Sequence, residues 1–153
     1  MNITVSEVLK RKGRDVWSVA PEASIYQALK FMADKGVGAL VVMEAGNIVG
    51  IFSERDYARQ VALRGRSTKE TLVADVMTKP VRYIPPWRTV DECMALMTDR
   101  RVRHLPVLDG GKLVGIVSIG DVVKTIISEQ EFVIHELEAF VDEALKDRAG
   151  AHQ

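Results

Sequence analysis

An internal repeat constrains the fold of this sequence more than any other feature. The segment "VGIFSERD" at residues 49–56 returns 65 positions later as "VGIVSIGD" at residues 114–121. The segments "VSEVL" and "VADVM", which precede the two copies, match at an offset of 68. A match this long predicts that the chain folds as two copies of one structural unit. At the offset of 65 and without a gap, further identical pairs align: Pro21 with Pro86, Met32 with Met97, Leu40 with Leu105, and Val42 with Val107.

The order of secondary structure elements is predicted to be the same in both copies. A short apolar segment, residues 15–19 or 82–84, has the character of a strand that stops at a proline. Ser24 and Thr89 then stand where a helix N-cap belongs, ahead of apolar residues at helical spacing. The runs "ALVVM" and "HLPVL" follow as strands, and the links "EAGN" and "DGGK" are typical of tight hairpins. A third strand leads directly into a second helix, so each copy is predicted to be β-α-β-β-α.

The predicted domain organisation follows from the repeat. The first copy occupies residues 5–63, a polar linker "RGRSTKET" occupies residues 64–71, and the second copy occupies residues 72–128. Residues 129–147 are predicted to form a C-terminal amphipathic helix. A unit of roughly 60 residues buries little apolar surface alone, so the two copies are expected to pack together as one module.

Bulk composition excludes several classes of protein. Lys+Arg and Asp+Glu both number 21, so no net field favours nucleic acid or an anionic membrane as a partner. No apolar run reaches the roughly 20 residues that span a bilayer, and the N-terminus lacks the features of a signal peptide. The single cysteine, Cys93, excludes an internal disulfide and fits a reducing compartment. These features predict a cytoplasmic protein.

The repeated Ser-x-x-Asp step supports two interpretations. Ser53 and Ser118 fall at the N-cap of a helix, and Asp56 and Asp121 fall at its third residue. A plain capping box explains this pattern without any ligand. Alternatively, a carboxylate at the edge of a cleft accepts hydrogen bonds from two ribose hydroxyls, and the helix N-terminus lies near the attached phosphate.

A basic cluster, "DRRVRH" at residues 99–104, favours the second interpretation. Arg100 and Arg101 at the end of a helix fit a solvated face. Arg103 and His104 lie at the start of a strand, where alternation sends their side chains to different faces. Arg103 is therefore the residue that we expect to meet a phosphate.

Other reactive residue types fit structural roles better than chemical ones. Cys93 lies on the apolar face of a helix, in the place of a small core residue. His104, His135 and His152 have no metal-ligand spacing, and the chain has no phosphate-binding loop or catalytic triad pattern. Trp17 fits a half-buried strand aromatic and the edge of a ligand pocket equally well. No enzyme and no metal site are expected.

The doubled "VGI[FV]S-x-x-D" and the stretch "RHLPVLDGGKLVGIVSIGDVV" resemble a tandem pair of cystathionine-β-synthase-type (CBS) domains, also called a Bateman module. The resemblance covers about residues 5–128 and extends to the stand-alone bacterial members of that family. It implies an α/β (α+β) fold in which two β-α-β-β-α repeats pack sheet to sheet about a pseudo-two-fold axis. It also implies two clefts for adenosine-containing ligands such as AMP, ADP, ATP, NAD or S-adenosylmethionine, with no metal.

The resemblance further implies which residues form the two clefts. Arg103 takes the position of a phosphate-contacting basic residue, and its counterpart in the first copy is Gly38, so the clefts should not be equivalent. We expect the tighter cleft to use Asp121 together with Arg103, and Arg55 and His104 are further candidates near the centre of the module. One cleft is expected to use Ile116, Ser118 and Asp121, facing Val16, Trp17 and Val37. The other is expected to use Ile51, Ser53 and Asp56, facing Val81, Arg82 and Val102.

The predicted function is that of a non-catalytic sensor that binds an adenine nucleotide and signals its occupancy to a client protein. One phosphate-facing arginine favours AMP or NAD over a triphosphate. The alternative is a structural or interaction module whose clefts bind no nucleotide. An apolar stripe on the C-terminal helix needs a cover, and a homodimer partner is expected rather than internal packing. The stripe comprises Phe132, Val133, Leu137, Phe140, Val141 and Leu145.

Overall fold

The computed structural model describes residues 2–151, and the side chains of residues 2–150. The predicted His152 therefore lies outside the described residues. Two small sheets and their helices form a mixed α/β fold, as the repeat predicts. The first repeat comprises α1 (Val5–Lys12), β1 (Ser18–Val19), α2 (Ile25–Lys35), β2 (Ala39–Glu44), β3 (Asn47–Ser53) and α3 (Glu54–Tyr57), which continues as a π-helical segment (Ala58–Ala62). The second repeat comprises α4 (Val73–Val76), α5 (Val90–Arg100), β4 (His104–Asp109), β5 (Lys112–Ser118) and α6 (Ile119–Ala151).

The hairpins of the two repeats are built alike. β2 pairs with β3 and β4 pairs with β5, both antiparallel, with an irregularity at Val42/Met43 and at Val107/Leu108. Both turns have two central residues in the left-handed region, which is the geometry of a type I′ turn. These turn residues are Ala45 and Gly46 in the first repeat, and Gly110 and Gly111 in the second.

The predicted first strand of each repeat needs correction. In the first repeat the strand covers Ser18–Val19 rather than residues 15–19, and it pairs parallel to β2. Residues 82–84 form no strand: Ile84 makes a single bridge, accepting from Leu108 N and donating to Pro106 O. The next residue is Pro85, which has no N–H to donate, so the ladder cannot continue.

The predicted N-caps of the first helix in each repeat are confirmed. The Ser24 hydroxyl accepts from the backbone N–H of Gln27 at 3.1 Å. The Thr89 hydroxyl accepts from the N–H of Glu92 at 3.2 Å. These bonds satisfy donors that a helix leaves unpaired at its first turn, which is why α2 and α5 begin where they do.

The boundary between the two hydrophobic cores does not coincide with the boundary between the two sequence repeats. Val5, Val8 and Leu9 of α1 are buried in the core of the second repeat, and Val73 and Val76 of α4 are buried in the core of the first. Each leading helix therefore crosses over and completes the core of the other repeat, which joins the two repeats into one module.

Two glycines make these crossings possible. A β-carbon on Gly115 would lie 2.7 Å from Leu9 Cδ2, and one on Gly50 would lie 2.6 Å from Met77 Sδ. Real β-carbons do not approach other atoms so closely, so only glycine lets the leading segments pack on the strands. The repeated "VG" of the sequence thus marks the contact between repeats.

The predicted C-terminal helix is not a separate element. α6 begins at Ile119, directly after the second Ser-x-x-Asp serine, and runs for 33 residues without a break. All side chains from residue 130 to residue 150 are exposed. The second repeat and the amphipathic extension therefore share one continuous helix.

Candidate functional site

Both Ser-x-x-Asp steps are capping boxes. Ser53 N donates to Asp56 Oδ2 at 2.9 Å, and Asp56 N donates back to the Ser53 hydroxyl at 3.2 Å. Ser118 N donates to Asp121 Oδ2 at 2.8 Å, with the return bond at 3.1 Å. The structural interpretation is thus realised in both repeats. It does not exclude the binding interpretation, because both carboxylates also line a cavity.

Two cavities flank the centre of the module, and we call them the Asp56 cavity and the Asp121 cavity. Their volumes of about 600 Å³ and 670 Å³ lie in the range of small-molecule sites. The Asp56 cavity is lined by Gly38, Ile51, Ser53, Glu54, Arg55, Asp56, Arg59, Thr78, Pro80, Val81, Arg82, Arg100, Arg101, Val102, Arg103, His104, Ser118, Ile119 and Gly120. The Asp121 cavity is lined by Val8, Arg11, Lys12, Gly13, Asp15, Trp17, Gly36, Val37, Gly38, Ala39, His104, Ile116, Ser118, Asp121, Lys124, Thr125 and Ser128.

Most of the residues proposed from the sequence lie together as expected, although their contact with a ligand stays a prediction. Val16 is the exception, because it lines neither cavity while its neighbours Asp15 and Trp17 line the Asp121 cavity. Side chains of an extended segment alternate in direction, which turns Val16 away from that cavity. Those found at the Asp56 cavity are Ile51, Ser53, Arg55, Asp56, Val81, Arg82 and Val102. Those found at the Asp121 cavity are Trp17, Val37, Ile116, Ser118 and Asp121.

The expected pairing of Arg103 with Asp121 is wrong. Arg103 lines the Asp56 cavity and does not line the Asp121 cavity. Its backbone carbonyl accepts from Ile119 N at 2.9 Å, so its main chain faces the motif of its own repeat. The residue nevertheless lines the cavity that contains Ser53 and Asp56, the motif of the other repeat. His104, the next residue, lines both cavities and forms part of the wall between them.

The Asp56 cavity is strongly basic. Only two carboxylates, Glu54 and Asp56, line it beside six arginines. One arginine facing phosphate was expected from the sequence, whereas six line this cavity. Arg100 and Arg101 are exposed, as a solvated face predicts, and they line the cavity as well. The six arginines come from both repeats and converge only in the folded chain: Arg55, Arg59, Arg82, Arg100, Arg101 and Arg103.

The arginines of this cluster repel one another, and desolvation together with this repulsion contributes to a lowered pKa of Arg55. Arg55 Nη1 donates to the Arg101 carbonyl at 3.0 Å, which holds one guanidinium over the backbone of the other repeat. Desolvation, followed by repulsion from Arg59 and Arg103, lowers the pKa of Arg55. The cluster therefore has a surplus of positive charge that an anion would neutralise.

Arg101 occupies a backbone position that favours glycine. It ends α5 in the left-handed region at φ 54°, and its counterpart in the first repeat, Gly36, ends α2 at φ 66°. A side chain in this region costs roughly 1 kcal/mol relative to glycine. Strained residues of this kind concentrate at functional sites, which makes Arg101 a candidate that the sequence analysis missed.

The two motif carboxylates have different partners. Thr78 Oγ1 donates to Asp56 Oδ1 at 2.8 Å, and the Ser53 hydroxyl donates to Asp56 Oδ2 at 3.0 Å. Asp121 Oδ2 instead accepts from the ammonium group of Lys12 at 2.5 Å. Asp56 is therefore held by neutral hydroxyls, whereas Asp121 is held by a cation.

The ion pair with Lys12 shapes the electrostatics of the Asp121 cavity. Burial alone would raise the pKa of Asp121. Hydrogen bonds from Lys12 and from Ser118 outweigh this effect, so the pKa of Asp121 lies below its ordinary value. Lys12 Nζ also donates to the Ile116 carbonyl at 2.8 Å. Lys12 and Thr78 were both missed from the sequence, because they reach these carboxylates from segments more than 20 positions away.

The remaining candidates have structural explanations. Trp17 is half-buried, as a strand aromatic would be, with Lys35 Nζ 4.2 Å from its ring centroid. It also lines the Asp121 cavity, and its contact with an adenine stays a prediction. Burial raises the pKa of the Cys93 thiol to about 11, consistent with an inert core residue. Burial and the nearby Lys12 lower the pKa of His104, which favours a neutral imidazole at pH 7.

Within residues 2–150, no group of three or more His, Cys, Asp or Glu side chains is arranged to hold a metal ion. None of the helices in the described part of the chain combines the length and apolar character needed to cross a bilayer.

Comparison with known proteins links this architecture to one family. The sequence profile of the CBS domain matches the chain twice, at residues 3–63 and 73–128. A mitochondrial CBS domain-containing protein of Arabidopsis thaliana is 39% identical over 148 residues, covering 90% of this chain and 71% of that protein. A solved CBS-domain protein of Burkholderia ambifaria is 54% identical, with a TM-score of 0.81 over 83% of this chain and 96% of that chain.

An enzyme also contains a related segment. Inosine-5'-monophosphate dehydrogenase of Thermoplasma acidophilum is 32% identical over 111 residues, which cover 72% of this chain but 21% of the enzyme. The similarity is therefore confined to a small part of that enzyme.

Proposed function

The chain belongs to the CBS domain family, whose paired repeats are generally regulatory and often bind nucleotides, and from this premise we propose that it is a non-catalytic adenine-nucleotide sensor whose main site is the Asp56 cavity. The observation that carries the proposal is the combination of one carboxylate held by hydroxyls with six arginines around the same cavity. The carboxylate suits a ribose diol, and the arginines suit phosphates.

The charge of the Asp56 cavity favours a ligand with more than one phosphate. AMP carries about two negative charges, whereas ADP, ATP and NAD place two or three phosphates in a row. Guanidinium groups bind phosphate oxygens through paired, charge-assisted hydrogen bonds. Six arginines exceed what a single phosphate can engage, so ATP or ADP is expected to bind more tightly than AMP.

A ligand in this cavity would act on the contact between the repeats. Arg55 and Arg59 belong to the first repeat, and Arg82, Arg101 and Arg103 belong to the second. An anion between them replaces repulsion with attraction on both sides. Occupancy therefore favours an arrangement in which the repeats are drawn together, and this differential affinity is the signal that a client protein can read.

Titration with a panel of nucleotides tests the proposal. Thermal unfolding is measured with AMP, ADP, ATP and NAD, with adenosine and inorganic tripolyphosphate as controls for base and charge. A ligand at 100 times its Kd stabilises the folded protein by about 2.7 kcal/mol. We expect ATP and ADP to raise the Tm most and adenosine least. If no nucleotide raises it more than tripolyphosphate does, the chain is an interaction module without a nucleotide site.

The C-terminal part of α6 carries a second element of the proposal, a homodimer interface. The apolar stripe is exposed in the single chain, with Leu137 59% and Phe140 69% accessible, so the chain itself does not cover it. Large exposed apolar surfaces mark interaction sites. Two identical helices can cover each other, because a two-fold axis places one stripe against the other.

We expect Leu137→Glu to convert the dimer into a monomer, because a carboxylate would be buried at the centre of the stripe without a partner. His135→Glu is the matched control, since it places a carboxylate about 200° around the helix from Leu137, at an exposed position beside Glu131 and Asp142 on the polar face. Size-exclusion chromatography with light scattering measures the mass of both variants. A Leu137→Glu protein that remains dimeric at the wild-type concentration would show that another surface holds the copies together.

A further inference from the structure

We propose that Lys12 closes the Asp121 cavity to nucleotides by occupying the carboxylate that a ribose would need. The inference rests on the proposed function and adds that one of the two clefts is kept shut by the chain itself. The Lys12 ammonium group donates to Asp121 Oδ2 at 2.5 Å and to the Ile116 carbonyl at 2.8 Å. Its side chain is 29% accessible and that of Asp121 is 19%, so the pair lies partly sheltered inside the cavity mouth.

The fold holds Lys12 in this place. It is the last residue of α1, and Gly13 ends the helix at φ 100° with its N–H bonded to the Leu9 carbonyl at 2.8 Å. Val5 N donates to the Arg88 carbonyl at 2.8 Å, which fixes the start of the helix on the second repeat. Leu9 is buried against Gly115. Because the start and the middle of α1 are fixed in this way, the side chain of its last residue, Lys12, lies next to Asp121.

Lys12 and a ribose compete for the same acceptor. Ribose hydroxyls are hydrogen-bond donors, and so is an ammonium group, but only the ammonium group brings a charge. A hydroxyl that replaces Lys12 still donates to the carboxylate, but it exchanges an ion pair for a hydrogen bond from a neutral donor. At Asp56 the competitor is the Thr78 hydroxyl, and replacing one hydroxyl with another costs little. The same ligand therefore meets a charged competitor in one cavity and a neutral one in the other.

The sequence repeat shows that this difference is built into the chain. At the offset of 68 that relates the leading segments, Lys12 corresponds to Pro80. Pro80 lines the Asp56 cavity and has no group that can pair with a carboxylate. The second repeat therefore lacks the cation that the first repeat sends into the opposite cavity.

The inference is tested in a background where the main site has been removed. We compare Asp56→Ala with the double variant Asp56→Ala/Lys12→Met, using calorimetric titration with ATP. The double variant should bind ATP at the Asp121 cavity about 10- to 150-fold more tightly, the factor that one charge-assisted hydrogen bond supplies. Lys10→Met in the same background is the matched control, because Lys10 is exposed on the same helix and lines neither cavity. Lys12→Gln repeats the test with a polar side chain.

Weaker or unchanged binding after removal of Lys12 overturns the inference, since the lysine would then be a phosphate contact or a bystander. A second readout needs no nucleotide. NMR titration of the Asp121 carboxyl should show its pKa rising in Lys12→Met and unchanged in Lys10→Met, and equal values in both would also overturn the inference. Failure of the proposed function has a different signature: the wild-type protein would bind no ATP, whatever residue stands at position 12.

Discussion

Asp56→Ala should lower the affinity for ATP by at least about tenfold for each ribose hydroxyl that loses its charged acceptor, because a hydrogen bond to a charged group is worth about 1.5–3 kcal/mol. The fold should survive. The lost acceptor of Ser53 N costs the protein on the order of 1 kcal/mol, which is small beside the stability of a domain, and the Ser53 hydroxyl still caps the helix. Calorimetric titration measures the affinity, and a thermal melt without ligand checks the fold.

Two matched variants separate this effect from a general loss of acidic charge. Asp34→Ala removes an exposed carboxylate of α2 that lines neither cavity, and it should bind ATP as the wild type does. Asp121→Ala removes the equivalent motif residue and should also leave the tight site intact. Equal weakening by Asp56→Ala and Asp121→Ala would instead mean that the two cavities share the ligand.

Leu9→Ala should destabilise the protein by about 2–5 kcal/mol, the usual cost of truncating a fully buried leucine. Leu9 is 1% accessible and fills the space above Gly115, where no other side chain can substitute for it. The loss should destabilise the module as a whole, because Leu9 belongs to the segment that precedes the first repeat but is buried in the core of the second. Urea denaturation followed by circular dichroism measures the free energy of unfolding.

Leu63→Ala makes the same chemical change at a side chain that is 82% accessible. Substitutions at such surface positions usually change stability by less than about 0.5 kcal/mol. Similar values for the two variants would contradict the crossing of α1 onto the second repeat.

The features that could be predicted from the sequence are those that depend on local chemistry. Ser24 and Thr89 cap helices because a hydroxyl at that position bonds within its own turn. The "EAGN" and "DGGK" hairpins follow from their glycines, which tolerate the left-handed region, although Ala45 adopts it in the first hairpin as well. The strand predicted at residues 82–84 does not form, because only Ile84 of that segment makes backbone hydrogen bonds to a neighbouring strand, with Pro106 and Leu108.

The functional detail that could not be predicted depends on where distant segments meet. The offset of 68 for the leading helices was visible in the sequence, but nothing local indicates that α1 packs on the opposite repeat. That crossing brings Lys12 to Asp121, and the pseudo-symmetric arrangement brings Arg103 to the Asp56 cavity. Alternation predicted different faces for Arg103 and His104, yet both line the Asp56 cavity, and His104 lines the Asp121 cavity as well. A period of two cannot tell which repeat a side chain will face.

The uninterrupted course of α6 has a mechanical consequence. Its 33 residues give a rod about 50 Å long. Its base is the Ser118–Asp121 cap at the junction of the two cavities, and its far end stands clear of the module. A tilt of about 5° at the base, smaller than the scatter in ordinary helix packing, sweeps the tip of such a rod through about 4 Å. Under the proposed function, a sub-ångström adjustment around a bound phosphate would thus become a displacement the size of a side chain at the far end of the helix.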